Sequence, residues 1–308
     1  MGGSGGSSYT GWSSEQLTHA VRKEAEKAAG QFEIEVAGLL TDLLSEYGRD
    51  TDLLRERLDE AKEALLDETE GSFDTLFGGS VAKHTYVDGL SDVDTLLIVN
   101  GSRFENQSPA KILVRLQKTL KKNLPKDVVV EHGMMAVSIT YPDNLVIQLL
   151  PALRTKGGVK VPSVQHPGWS EIDPEGFRRA LTKVNDKCGG KLVPTIKLAK
   201  AAIANMPEKY RLSGYHVESL AIAAFKNYRG RKTTETMLPL FFERARKLVL
   251  SPIRDNTGQS VHVDEYLGQR NSPERQSVSH LLWRLAKRMR NASTGKSKAQ
   301  WKAVFENE

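Results

Sequence analysis

Two aspartates one residue apart, Asp92 and Asp94, follow the tripeptide Gly78-Gly79-Ser80 after an interval of eleven residues. Each half of this pattern has a chemistry. Glycines at a turn leave backbone N–H groups unobstructed, and a turn that feeds a helix N-terminus aims those groups at phosphate oxygens. The Ser80 hydroxyl adds a donor. Side chains at i and i+2 of a strand share a face, so Asp92 and Asp94 put two carboxylates side by side. Paired carboxylates are a site for a hard, oxygen-seeking cation such as Mg²⁺, with Mn²⁺ as its substitute. A phosphate cradle facing a divalent metal is the layout of phosphoryl-group chemistry, and specifically of nucleotidyl transfer. Either half alone is weak, because Gly-Gly-Ser turns and Asp-X-Asp strands are common. Their order is what carries the signal.

The elements needed to position these groups are legible around them. Residues 13–68 read as helices: a segment through Leu17, Val21, Ala25 and Ala28, a second through Phe32, Ile34, Val36, Leu39, Leu40, Leu43 and Leu44, and a charged third over 52–68. The run Phe73 to Phe77 reads as a strand ending at the glycines, and the β-branched run Ser91 to Asn100 as the strand bearing the aspartates. A helix over 107–123 follows, then strands at 128–131, 135–141 and 145–150, the last two joined by a Pro142-Asp143-Asn144 hairpin turn. Residues 156–173 are rich in Gly, Pro and Ser and read as a long connecting loop, with helices from there on at roughly 174–186, 190–205, 215–228, 235–249, 272–290 and 296–305. The expectation is an α+β protein of two lobes. Residues 1–8 form a linker or tag remnant, 9–70 the N-terminal helices, 71–155 a mixed-sheet catalytic core, and 156–308 a helical C-terminal lobe.

On Gly79-Ser80 and Ser91-Asp92-Val93-Asp94 the chain resembles the DNA polymerase β-like nucleotidyltransferase superfamily. Further stretches are similar to its cyclic GMP–AMP synthase-like branch, the bacterial oligonucleotide cyclases (CD-NTases) of anti-phage systems. Leu149-Leu150-Pro151-Ala152 resembles the segment that closes the catalytic sheet, and Ile196-Lys197-Leu198-Ala199-Lys200 the substrate-contacting helix. Leu212-Ser213-Gly214-Tyr215-His216-Val217-Glu218 resembles the Ser-Tyr-His start of the next helix, and Asn256-Thr257-Gly258 with Val261-His262-Val263-Asp264 the late segment. The resemblance spans about residues 30–305. It implies a two-lobed nucleotidyltransferase fold and synthesis of a cyclic di- or trinucleotide from nucleoside triphosphates, with loss of pyrophosphate. It implies Asp92 and Asp94 on the metal, Gly79 and Ser80 on the triphosphate, Lys197, Lys200 and Ser213 on phosphate, and Tyr215 stacked on a base. A downstream effector protein of the defence system is implied as partner by the family alone.

One position departs from the pattern. The family's third acidic residue falls four positions before the closing Ala152, where this chain has Gln148. An amide offers a neutral oxygen ligand but cannot act as a base. Three readings stay open: an amide native to a working site, a replacement that traps a bound state, and a site of weakened turnover that mainly binds nucleotide. Glu131 and Asp143 are near in sequence but fit neither the position nor the strand.

Composition sets outer bounds. The net charge of +6 suits polyanionic ligands without choosing among them. The runs Lys121-Lys122 and Arg229 to Lys232 lack interleaved aromatics, so they read as solvated surface and nucleic acid is not the expected partner; an RNA or protein acceptor is the competing substrate class. One cysteine, Cys188, rules out an intrachain disulfide or a multi-cysteine zinc site, and fits a cytoplasmic setting. No apolar run has membrane-spanning length, so no membrane partner is expected.

Overall fold

The computed structural model describes residues 14–46, 51–66, 74–77, 93–163, 167–253 and 264–306. Helix α1 (Ser14–Glu46) runs as one 33-residue helix through Gly30, so the two segments read from the sequence are continuous. One glycine costs a helix about 1 kcal/mol, too little to break one whose apolar side is buried. That side, Val36, Leu39, Leu40 and Leu43, packs into the C-terminal helical lobe. Helix α2 (Thr51–Glu63) goes elsewhere: Leu54, Leu58 and Ala61 pack against the sheet. The two N-terminal helices thus serve different cores.

Among the described residues the sheet has seven strands. β1 (Asp74–Phe77), β2 (Val93–Ile98), β3 (Val129–His132), β4 (Val137–Thr140) and β5 (Val146–Arg154) lie in the order β1-β2-β5-β4-β3. β2 and β5 run parallel at the centre, and the other neighbours are antiparallel. The parallel pair requires a crossover, supplied by α3 (Pro109–Asn123). Ile112, Leu113, Leu116 and Leu120 of α3 share one side and bury against Leu97, Val130, Val137, Ile139, Ile147 and Leu149. The β4–β5 hairpin turns at Pro142-Asp143-Asn144 as expected. Asn144 takes the left-handed conformation (φ 62°) and Asp143 Oδ1 accepts from the Leu145 N–H at 3.1 Å.

The loop expected over 156–173 is in part strand. β6 (Val159–Pro162) and β7 (Trp169–Ile172) extend β5 as an antiparallel meander, with Leu153 opposite Lys160 and Val161 opposite Ser170. The glycines that suggested a loop make its turn. Gly158 (φ 153°) lies so close to β7 that a Cβ there would sit 2.4 Å from the Ile172 carbonyl oxygen. Val159 and Val161 join Leu96, Ile98 and Ala152 in a small cluster on the sheet face opposite α3.

Helices α4 (Pro174–Lys187), α5 (Leu192–Ala204), α6 (Gly214–Phe225), α7 (Thr234–Leu248), α8 (Pro273–Thr294) and α9 (Lys298–Lys302) form the second lobe, close to their expected bounds. α5 and α6 are apolar almost all round, and both are central to its core. Among the described residues no helix is long and apolar enough to cross a membrane.

Candidate active site

The sheet contributes one row of residues. Position 94 on β2 pairs with Gln148 on β5, Gln148 pairs with Ser138 on β4, and Ser138 with Glu131 on β3. Next to this row the strands present Ile147, Leu149, Val137, Ile139 and Val130 to the α3 side, where all five are buried. Alternation therefore leaves Gln148 and Ser138, both half-buried, on the other face. Strands lie about 4.8 Å apart, so Glu131 is roughly 14 Å from position 94, too far to share a metal with it. Gln148 is the residue adjacent to Asp94, at the place where the family pattern has its third acid. Asp92, Gly79 and Ser80 lie outside the described residues.

The donor set can be tested against a divalent metal. Magnesium takes oxygen ligands. Position 94 offers a carboxylate, and Gln148 offers an amide oxygen in register on the adjacent strand. These are hard donors and fit such a cation, with one negative charge fewer than three acids would give.

The helical lobe brings the other candidates together at the junction of α5 and α6. Lys200 is 7% exposed, and its ammonium lies 2.9 Å from Glu218 Oε1, itself buried. Above this pair is the start of α6. A Cβ at Gly214 would come within 3.2 Å of Lys200 Nζ, so any larger residue there would make the ammonium give way by a few tenths of an ångström. Ser213 caps α6, its Oγ accepting from the His216 N–H at 3.2 Å. The Ser213 side chain also bonds Tyr266. The first-turn N–H groups of a helix have no acceptor within it, and together with the helix dipole they favour an anion. The buried charge beneath adds to this. Tyr215 is half-buried, with its ring centroid 4.5 Å from that of Phe177. One of its faces is therefore engaged in packing. Lys197, one turn before Lys200, is half-buried, and burial pulls its ammonium below the usual lysine range.

Behind Ser213 is a buried polar chain. Tyr266 Oη accepts from the Ser213 N–H at 3.2 Å and lies 2.8 Å from His216 Nδ1. The His216 ring is fully buried, and Nε2 sits 3.7 Å from Asp264 Oδ2. Asp264 accepts from Arg275 Nη1 at 2.6 Å and from the Ile253 N–H at 3.2 Å. Burial pulls His216 down to about 4, against the opposing pull of Asp264 and with help from Arg275. The imidazole is thus neutral near pH 7.

Sequence reasoning singled out Lys200, Ser213 and Tyr215, and the structure gathers them at one corner. It gave no role to Glu218, Tyr266 or Arg275. A signal existed for Glu218 and Lys200: each is a charge inside an apolar stretch, Leu198 to Ile203 and Val217 to Ala221, where a helix has no solvated side to offer.

A two-lobed protein with a mixed sheet, a central parallel pair and an Asp-bearing strand has the architecture of a nucleotidyltransferase. Residues 40–185 match the family described as Second Messenger Oligonucleotide or Dinucleotide Synthetase domain (SMODS). That segment holds the Gly79-Ser80 and Asp92/Asp94 motifs. No curated protein matches the chain in sequence. Solved structures match in fold. CdnG of Bradyrhizobium diazoefficiens, a CD-NTase in complex with GTP, gives a TM-score of 0.67 at 12% identity, over 88% of this chain and 99% of its own. The Vibrio cholerae DncV cyclic AMP-GMP synthase, in complex with a linear pppApG intermediate, gives 0.62 at 12% identity, over 96% and 90%. The CdnE c-di-GMP synthase of Capnocytophaga granulosa gives 0.56 at 18% identity, over 78% and 80%. The described residues have the two-lobed CD-NTase fold.

Proposed function

We propose that the protein joins nucleoside triphosphates into a cyclic di- or trinucleotide with release of pyrophosphate, as the signal-producing enzyme of a cytoplasmic anti-phage system with a separate effector protein. The observation that carries this reading is the pairing of position 94 with Gln148 at the centre of the sheet, inside the SMODS segment. The match to that synthetase family supports it, as does the fold shared with synthases crystallised with GTP or with a linear dinucleotide intermediate.

In this reading Asp92 and Asp94 hold Mg²⁺ or Mn²⁺, which when bound supplies charge neutralisation at the phosphates. Gly79 and Ser80 donate to the donor triphosphate. The α6 start, with Ser213, receives phosphate over the buried Lys200 charge, and Lys197 adds a second cation. Tyr215 stacks a base. In each transfer a ribose hydroxyl oxygen attacks the α-phosphorus. The bond from that phosphorus to its bridging oxygen breaks and pyrophosphate leaves. The hydroxyl proton passes to water, since the Gln148 amide has no basic group.

Gln148 favours one second reading, a nucleotide-binding protein of slow turnover. The test is incubation with the four NTPs and Mg²⁺ or Mn²⁺, with products resolved by chromatography and mass spectrometry. Cyclic product that disappears in Asp92→Asn with Asp94→Asn supports synthesis. Bound nucleotide without product supports the slow-turnover reading, and label transferred to RNA or protein would replace both.

A further inference from the structure

We propose that Tyr266 is a positioning residue for phosphate binding: its hydroxyl sets the Ser213 cap, and with it the exposed start of α6. The inference rests on the functional reading above.

Three observations carry it. Tyr266 lies on a single helical turn, Glu265–Leu267, 53 residues from Ser213 in sequence, yet its Oη is 3.2 Å from the Ser213 N–H. The residue is 51% exposed while its hydroxyl bonds inward to His216, so it spans from the surface to the buried chain. A tyrosine kept for packing alone would bury its ring and leave its oxygen in water. Ser213 is held from two sides, by Tyr266 on its N–H and by the His216 N–H on its Oγ. These contacts, together with a bond between the Ser213 side chain and Tyr266, fix both the backbone and the hydroxyl of the cap.

Asp264 Oδ2 facing His216 Nε2 at 3.7 Å favours the tautomer with the hydrogen on Nε2. In that tautomer Nδ1 accepts, and the Tyr266 hydroxyl donates to it at 2.8 Å. His216 then carries its own hydrogen on Nε2, a buried atom with no hydrogen-bond partner among the described residues, facing Asp264 Oδ2 at 3.7 Å. A neutral, fully buried histidine that spends Nδ1 on accepting from a tyrosine is an orienting group for that tyrosine. The far end of the chain is rigid. Arg275, fully buried, donates to Asp264 and to the carbonyls of Val249, Ser251, Gly268 and Gln269. The turn that bears Tyr266 is thereby pinned to the end of α7 and the start of α8. The chain Arg275–Asp264 and Tyr266–Ser213 transmits the rigidity of the lobe core to the α6 start.

The experiment is a double-mutant cycle on Tyr266→Phe and Ser213→Ala, read by ATP and GTP binding, by steady-state KM and kcat, and by amide hydrogen exchange over residues 211–218. Expected are an NTP Kd or KM raised about tenfold in Tyr266→Phe, the scale of one lost hydrogen bond, with kcat within about twofold. Ser213→Ala gives a similar rise, and the double variant adds little to either. Exchange at the Ser213 amide speeds up in Tyr266→Phe while the rest of α6 stays protected. Independent, additive effects of the two substitutions would overturn the proposal, and so would unchanged affinity and exchange in Tyr266→Phe. If wild type neither binds nor converts any NTP, the functional reading has failed; the exchange measurement then still decides whether Tyr266 fixes the α6 start. If Tyr266→Phe does not fold, Ser213→Ala alone must shift KM without kcat, and a kcat-only effect would sink the idea.

Discussion

The ammonium of Lys200 and the carboxylate of Glu218 form a buried ion pair at 2.9 Å, directly beneath the glycine that begins α6. The pair sits in a lobe of apolar helices, where an ion without its partner is strongly disfavoured. Removing the lysine in Lys200→Ala strands the Glu218 charge, at an expected cost of about 3–5 kcal/mol, measured by urea denaturation. The double replacement Lys200→Met with Glu218→Leu should recover most of that stability, because a buried pair traded for apolar groups of similar volume is often neutral. Nucleotide affinity should not recover. A double variant that binds ATP like wild type would show that the pair is purely structural.

Gln148 lies beside position 94 on the neighbouring strand, so Gln148→Asp puts a second acidic residue in register with it. Without metal, two like charges there repel; with metal, they share it. The expected result is a melting temperature below wild type in EDTA and above it in excess Mg²⁺. Turnover should rise by about 10²-fold or more, the range of a gained general base. A fall in turnover with normal folding would show instead that the amide belongs to the mechanism.

How far the sequence reached depends on the separation of the parts. The β4–β5 hairpin was readable because its register is set locally, by Asp143 and Asn144. Helix α3 was readable because Ile112, Leu113, Leu116 and Leu120 repeat at helical spacing. β6 and β7 were hidden: four residues are too few for a periodic signal, and Gly157 and Gly158, which make their turn, look like loop. The motif residues were recognised by type and spacing. The pairing of position 94 with Gln148 joins positions 54 apart, and that of Ser213 with Tyr266 positions 53 apart. Such contacts arise from tertiary packing, on which local patterns are silent. The same holds for α1, whose pattern shows an apolar side but not which lobe will bury it.

His216 predicts a pH dependence. Its pKa falls from an ordinary 6.5 to about 4 in the fold, so the unfolded chain binds the extra proton between these values. Stability conferred by the neutral imidazole is therefore complete above about pH 6.5 and is lost as pH falls toward 4. At most about 3 kcal/mol is involved, at 1.36 kcal/mol per unit. The facing groups are Asp264, which favours the imidazolium, and Arg275, which opposes it. Urea midpoints at pH 7 and pH 4.5 should differ more for wild type than for His216→Gln, whose amide oxygen can still accept from Tyr266. Equal pH slopes in the two proteins would refute the assignment.

Gly158 allows a second, independent check on the β6–β7 meander. Its φ of 153° falls where side chains are rarely found, and an added Cβ would meet the Ile172 oxygen at 2.4 Å and its carbonyl carbon at 3.3 Å. Both are backbone atoms of a paired strand, so relief requires β7 to move away from β6 or the hairpin to change its turn. Gly158→Ala should therefore cost about 2–4 kcal/mol, within the range of backbone strain plus overpacking. Gly101 is the control. It too has positive φ (73°), but a Cβ there meets nothing within 4 Å. Gly101→Ala carries only the conformational penalty, about 1 kcal/mol. The difference between the two, read from urea midpoints at constant m-value, isolates the clash. Equal losses at the two positions would mean that β7 does not pack against Gly158 as described, and that residues 156–173 are the loop their composition suggests.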